Sequence, residues 1–188
     1  MHQEAGTSDA VKAMPEGGKC PFGHGAGPAV VSLAETLKES TKEAHTRAEK
    51  HPIQGRLVTG QSSRQEYAAW LGQMFHVWSA VDVGLARLVQ RDRRVGAMVK
   101  PYHAHAARVS ADLAFLGDSA ANHAPLAETA RFVERVNRAA ADVSLVGVWY
   151  VLEGSANGGR YIAKALSRGL GIAAVSYTHL TLPTNREV

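Results

Sequence analysis

Two kinds of residue in this chain can build a ligand site: histidines, which offer a ring nitrogen, and a close run of glycines, which offers bare backbone. Nine histidines are present. His45 stands apart because it falls mid-helix in "LKESTKEAHTRAE", with the small residues Thr41, Ala44 and Ala48 around it. A ligand lying on that helix face can reach the imidazole, although the same setting suits an ordinary solvated histidine. The others have plainer readings. His2, His24 and His179 lie near the ends, His103 and His105 sit close to a helix start, and His123 is in a Ser/Ala/Asn-rich loop. His51 precedes Pro52 and reads as a cap, and His76 lies among aromatics as a core or supporting residue. The glycines are Gly154, Gly158 and Gly159, inside "YVLEGSANGGRYIAKAL". Each costs a helix about 1 kcal/mol relative to Ala. Bare backbone lets a flat, bulky ligand approach closely, or lets a helix hinge about a pocket. Close packing on a neighbouring helix, or a break between two helices, accounts for the same residues.

Other chemistries find less support. Cys20 is the single cysteine, has no triad context, and leaves no internal disulfide, which suits a reducing cytoplasm. There is no HExxH or paired CxxC for zinc, and none of Glu43, Glu49 and Glu153 has a His three residues on, as a bundle di-metal site would want. The glycine run follows no strand, so it is not a phosphate loop. The formal net charge of +4 comes from dispersed basic residues. That argues against nucleic acid and serves a small anionic ligand equally well. No apolar run reaches the ~20 residues of a membrane span, and no secretory signal opens the chain.

The elements that must position these residues are helices. At 188 residues and 45% hydrophobic, the chain can bury one good core. Residues 1–30 read as a flexible leader rich in Gly, Pro and polar residues. "SLAETLKESTKEAHTRAEKH" opens on Ser32 with Glu35 three residues on, a capping-box pattern. "SSRQEYAAWLGQMFHVWSAVDVGLARLVQ" opens on Ser62 or Ser63 and keeps a helical apolar period for six or more turns. "HAARVSADLAFLG" is closed by Gly117, and Pro125 is expected in the first turn of "PLAETARFVERVNRAAAD". Residues 143–168 complete the set. Strand signals are thin, so the expected fold class is all-α.

Four segments, in order, resemble the heme oxygenase family. "LKESTKEAHTRAE" is similar to its proximal-helix motif and "MFHVWSAVD" to its aromatic "YHxY" helix. "DLAFLG" matches its "DLAFxxG" segment, and "YVLEGSANGGRYIA" looks like its Gly-rich distal helix. The resemblance covers roughly residues 33–171. It implies a heme-oxygenase-like helical bundle over residues 31–174, with haem held between the two helices as both cofactor and substrate. His45 would be the axial iron ligand, with Glu49 one turn on as partner for the imidazole N–H. Gly154, Gly158 and Gly159 would be the distal glycines against the macrocycle. Haem would be opened to biliverdin, carbon monoxide and ferrous iron, using O2 and electrons from a reductase or ferredoxin. Where family members carry a distal Asp after the first glycine, this chain has Ser155; Ser155 and Asn157 would then share the distal proton relay. Lys38 matches a basic position near the propionates, with Lys42 as the alternative, and Tyr150 or Trp149 could add a donor. In the leader, "KCPFGH" is similar to a haem-regulatory Cys-Pro-Phe motif through Cys20. The altered distal residues keep a second reading open: a haem carrier or sensor without turnover. Neither reading calls for a nucleic acid or membrane partner, and both place the protein in the cytoplasm.

The end breaks this pattern. "VSYTHLTLPTNREV" has no helical period and no charge before Arg186. It resembles the translated read-through of a transposon adapter. Residues 175–188 are therefore expected to be a non-native tail, with the family's last helices missing.

Overall fold

The computed structural model of the protein describes residues 32–156 and 159–171. The 1–30 leader with Cys20, Asn157 and Gly158, and the 175–188 tail lie outside the described residues. Within them the chain forms eight α-helices, two short 3-10 turns and no strand. The compact units are Met1–Glu43 and Ala44–Val188, so their boundary falls inside the first helix.

That helix, α1 (Leu33–Glu49), begins as its sequence predicts. The Ser32 N–H donates to Glu35 Oε2 at 2.9 Å, and the Glu35 N–H donates to Ser32 Oγ at 3.2 Å. The two bonds satisfy donors that a helix start otherwise leaves orphaned. The short α2 (Pro52–Thr59) starts on His51, whose Nδ1 accepts from the Ile53 N–H at 3.4 Å. It stops at Gly60, where φ is +74°. α3 (Arg64–Arg91) is the longest helix. Of its two possible caps the structure selects Ser63: the Ser63 N–H donates to Glu66 Oε2 at 2.9 Å, and Ser63 Oγ accepts from the Glu66 N–H at 3.1 Å.

α4 (Arg93–Met98) follows directly, capped by Asp92. α5 (Ala106–Phe115) ends ahead of Gly117, which takes φ +75° as expected for a helix stop. α6 (Ala127–Ala139) starts two residues after Pro125. The proline therefore stands before the helix rather than in its first turn, and Leu126 is the N-cap. The stretch expected to run from 143 to 168 is two helices, α7 (Ser144–Ala156) and α8 (Gly159–Leu170).

In the second unit α3 is the central element, with α4, α5, α6 and α7 packed around it, while α8 packs on α2. Tyr67, Leu71, Trp78, Val81, Leu85 and Leu88 of α3 meet Leu57, Val109, Leu113, Val136, Leu145 and Leu166 in one core. Each such side chain contributes about 1.5–3 kcal/mol when fully buried. α8 approaches α2 so closely that a Cβ at Gly169 would overlap the carbonyl oxygen of Gly60. These two glycines are close-approach positions, and they fix where α8 lies.

Candidate functional site

His45 sits near the end of α1 with its side chain 73% exposed. Its Nδ1 lies 3.5 Å from Glu49 Oε2, one turn further on. Nε2 has no hydrogen-bond partner among the described residues. A ring nitrogen near a carboxylate one turn away, with the other nitrogen open, is compatible with a metal-binding histidine, whose second nitrogen usually has such a partner. On the same helix Lys38 and Lys42 are both exposed. The Lys42 ammonium faces Glu39 Oε1 at 3.5 Å, whereas no carboxylate among the described residues pairs with Lys38. Lys38 is thus the cation of the two that is uncommitted within α1.

α7 carries the first of the glycines. Tyr150, Val151 and Gly154 share one face, at spacings of four and three residues, and all three are exposed. Tyr150 and Val151 are 76% and 67% exposed, which is unusual for large apolar side chains on a helix that also packs in a core. A Cβ at Gly154 would meet no atom within 4 Å. The glycine is therefore not required by packing among the described residues. Gly159, at the first position of α8, is buried. Ser155 is exposed, and its Oγ donates back to the Leu152 carbonyl at 2.7 Å. The structure brings His45 together with Glu49, but puts no hydrogen bond between His45 and Ser155.

A buried polar network lies just behind this face, and the bland sequence reading of His105 missed it. His105 is fully buried. Its Nε2 meets Glu153 Oε1 at 2.8 Å, and the same oxygen accepts the Trp149 indole N–H at 2.9 Å. Arg108 Nη2 lies 3.3 Å from His105 Nδ1. Because a guanidinium only donates, Nδ1 must accept there, so Nε2 carries the hydrogen given to Glu153. The His105 ring stacks on Trp78 of α3, with centroids 4.1 Å apart and planes inclined by 27°. Asp82 of α3 completes the set: its Oδ2 accepts the backbone N–H groups of His105 and Ala106 at 3.0 and 2.8 Å. It caps α5 from a different helix, in place of the side-chain cap that His105 lacks.

Burial pushes the Asp82 carboxyl above its ordinary range, against the lowering effect of those two N–H groups. Burial also acts to raise Glu153, but the hydrogen bonds it takes from the His105 ring and the Trp149 indole N–H hold it below the usual value. The signal for this network was present in the sequence as two carboxylates inside apolar helical runs, "SAVDVGL" and "VWYVLEG". A charge there must be paired or it is costly to bury. The network also separates the two aromatic alternatives. The Trp149 N–H is committed to Glu153, whereas the Tyr150 hydroxyl is exposed.

A model of the heme oxygenase family matches residues 31–184. The chain belongs to the heme oxygenase family. Heme oxygenase 1 of Rattus norvegicus is 34% identical over 55 residues, which cover 29% of this chain and 19% of that protein. The match thus spans about a fifth of the relative's length. Among solved structures, the heme oxygenase from Leptospira interrogans superposes with a TM-score of 0.72 at 23% identity, covering 83% of this chain and 78% of that one. Heme oxygenase-1 from the cyanobacterium Synechocystis, solved in complex with heme, gives 0.66 at 22% identity, covering 79% and 70%. At these identities the superpositions establish the all-α heme oxygenase fold. The four family-like segments fall on α1, α3, the end of α5, and α7 running to α8.

Proposed function

We propose that this chain binds haem through His45 and opens it oxidatively to biliverdin, carbon monoxide and ferrous iron. The observation that carries the proposal is the exposed His45 imidazole, with Nδ1 3.5 Å from Glu49 Oε2 and Nε2 open, on a helix inside the family match. The residues present fit a haem. An imidazole nitrogen is available to iron, and the exposed Tyr150, Val151 and Gly154 offer an apolar surface with a missing side chain. The exposed Tyr150 offers a hydroxyl donor for a propionate, and the family resemblance alone assigns Lys38 as a cation for one.

When bound, haem supplies the iron that activates O2 and is itself the ring that is opened. The protein's own work is to hold and orient. Glu49, one turn on, is the carboxylate that would accept the Nδ1 hydrogen once Nε2 faces the iron. Gly154 leaves room for a macrocycle and a small diatomic ligand where any other residue would place a side chain. Gly158 and Gly159 are assigned to the haem on the family resemblance of the distal segment alone. Ser155 and Asn157 are the polar groups assigned to deliver protons at the distal side. Electrons come from a separate reductase or ferredoxin. No helix among the described residues is long and apolar enough to cross a membrane. With one cysteine, a reducing cytoplasm is the proposed compartment.

A haem carrier or sensor is the second reading, and Ser155 is the observation that favours it. Its hydroxyl hydrogen is engaged by the Leu152 carbonyl, so delivering a proton requires that bond to break. The test is to load the protein with equimolar ferric haem and add a reductant in air. The enzyme reading expects the haem absorption to give way to that of a bile pigment. A haem spectrum that persists through reduction and reoxidation assigns the chain to transport or sensing.

A further inference from the structure

We propose that Glu153 and His105 are positioning residues that set the orientation of the last turn of α7, and with it Gly154. The significance of that orientation for haem rests on the functional reading above. Successive residues on a helix are about 100° apart, so fixing the Glu153 side chain inward fixes the direction in which Gly154 faces outward. Glu153 is the last residue before that glycine and its carboxylate is only 17% exposed. Its hold is unusually complete for the end of a helix. Oε1 takes hydrogen bonds from within its own helix, through Trp149, and from outside it, through His105.

His105 in turn cannot move freely. Its ring lies on Trp78, its Nδ1 faces Arg108, and its backbone N–H is bound by Asp82. The His103 ring adds an edge contact to the Trp149 indole, with centroids 4.9 Å apart. The tie therefore runs from α3, through the start of α5, to the final turn of α7.

Packing alone does not call for such a device. Leu145 and Trp149 already bury the inner face of α7 against the core. An apolar residue at position 153 would avoid the cost of desolvating a carboxylate. A directional bond does what apolar packing does poorly, which is to stop the helix from rolling about its own axis. Helix ends otherwise open locally at low cost.

Three variants test this. His105→Phe with Glu153→Leu replaces the pair by apolar groups of similar bulk, an exchange that buried pairs often tolerate. His105→Phe alone keeps a ring on Trp78 and leaves Glu153 the Trp149 N–H, so it serves if the double variant does not fold. Glu153→Gln keeps an oxygen that can accept both N–H groups and should restore wild-type behaviour. The first readout is amide hydrogen exchange in the haem-free protein. Peptides covering 150–156 should exchange about tenfold faster in the double and His105→Phe variants, with α3 unchanged, and at the wild-type rate in Glu153→Gln. The second readout is ferric haem: the loosened variants should bind about tenfold more weakly and shift the Soret band, while Glu153→Gln matches wild type. Wild-type exchange at 150–156 in a folded double or His105→Phe variant overturns the proposal. A wild-type protein that takes up no haem overturns the functional reading instead, and leaves the exchange result to decide positioning.

Discussion

His45 and Gly154 make opposite demands on a mutation, and that makes them informative. His45→Ala should leave α1 intact, because Ala is the better helix former and the histidine side chain is largely in solvent. It should remove the axial nitrogen, change the ferric haem spectrum and abolish turnover, and added imidazole should partly restore both. An unchanged spectrum with full activity would take His45 out of the site. Gly154→Leu adds a Cβ that meets nothing within 4 Å among the described residues. It should raise thermal stability, by about 0.8 kcal/mol from helix propensity alone, while weakening haem binding. A variant both more stable and equally active would show that bare backbone at 154 serves no ligand. His45 and its Glu49 partner were legible in the sequence because a single helix presents them four residues apart. His105 was not, because its significance lies in groups 23 and 48 positions away in Asp82 and Glu153.

The helices were legible wherever local chemistry decides them. The capping box at Ser32 and the stop at Gly117 rest on contacts within five residues, so the sequence carries them, whereas the choice of Ser63 over Ser62 came from the structure. The start of α6 is displaced from Pro125 because proline's fixed φ is equally at home just before a helix. α2 was hidden for a different reason. Its eight residues include Gly55 and a single buried side chain, Leu57, too little for a periodic signal. Its role emerges only through α8, which approaches it at Gly60 and Gly169. Gly169→Ala should therefore destabilise the protein by about 2 kcal/mol, since overpacking against fixed backbone outweighs the propensity gained. A melting temperature equal to or above wild type would mean that the two helices can separate without cost. The same displacement of α8 should reach Gly159 and lower haem affinity.

The family match and the superpositions agree that this is a heme oxygenase fold, and the all-α class follows from the same periodic segments. Family membership leaves the fate of bound haem to experiment. The family match runs on to residue 184, into the 175–188 segment that was expected to be a non-native tail. Deleting it should leave melting temperature and haem affinity unchanged, and a clear fall in either would make it part of the fold. The most direct test of the whole account is the carbon monoxide released per haem consumed, with haem-loaded protein, a reductase system and air. Carbon monoxide should appear in step with haem loss and biliverdin formation, and none should come from His45→Ala. Haem that stays intact, or that bleaches without releasing carbon monoxide, would contradict it.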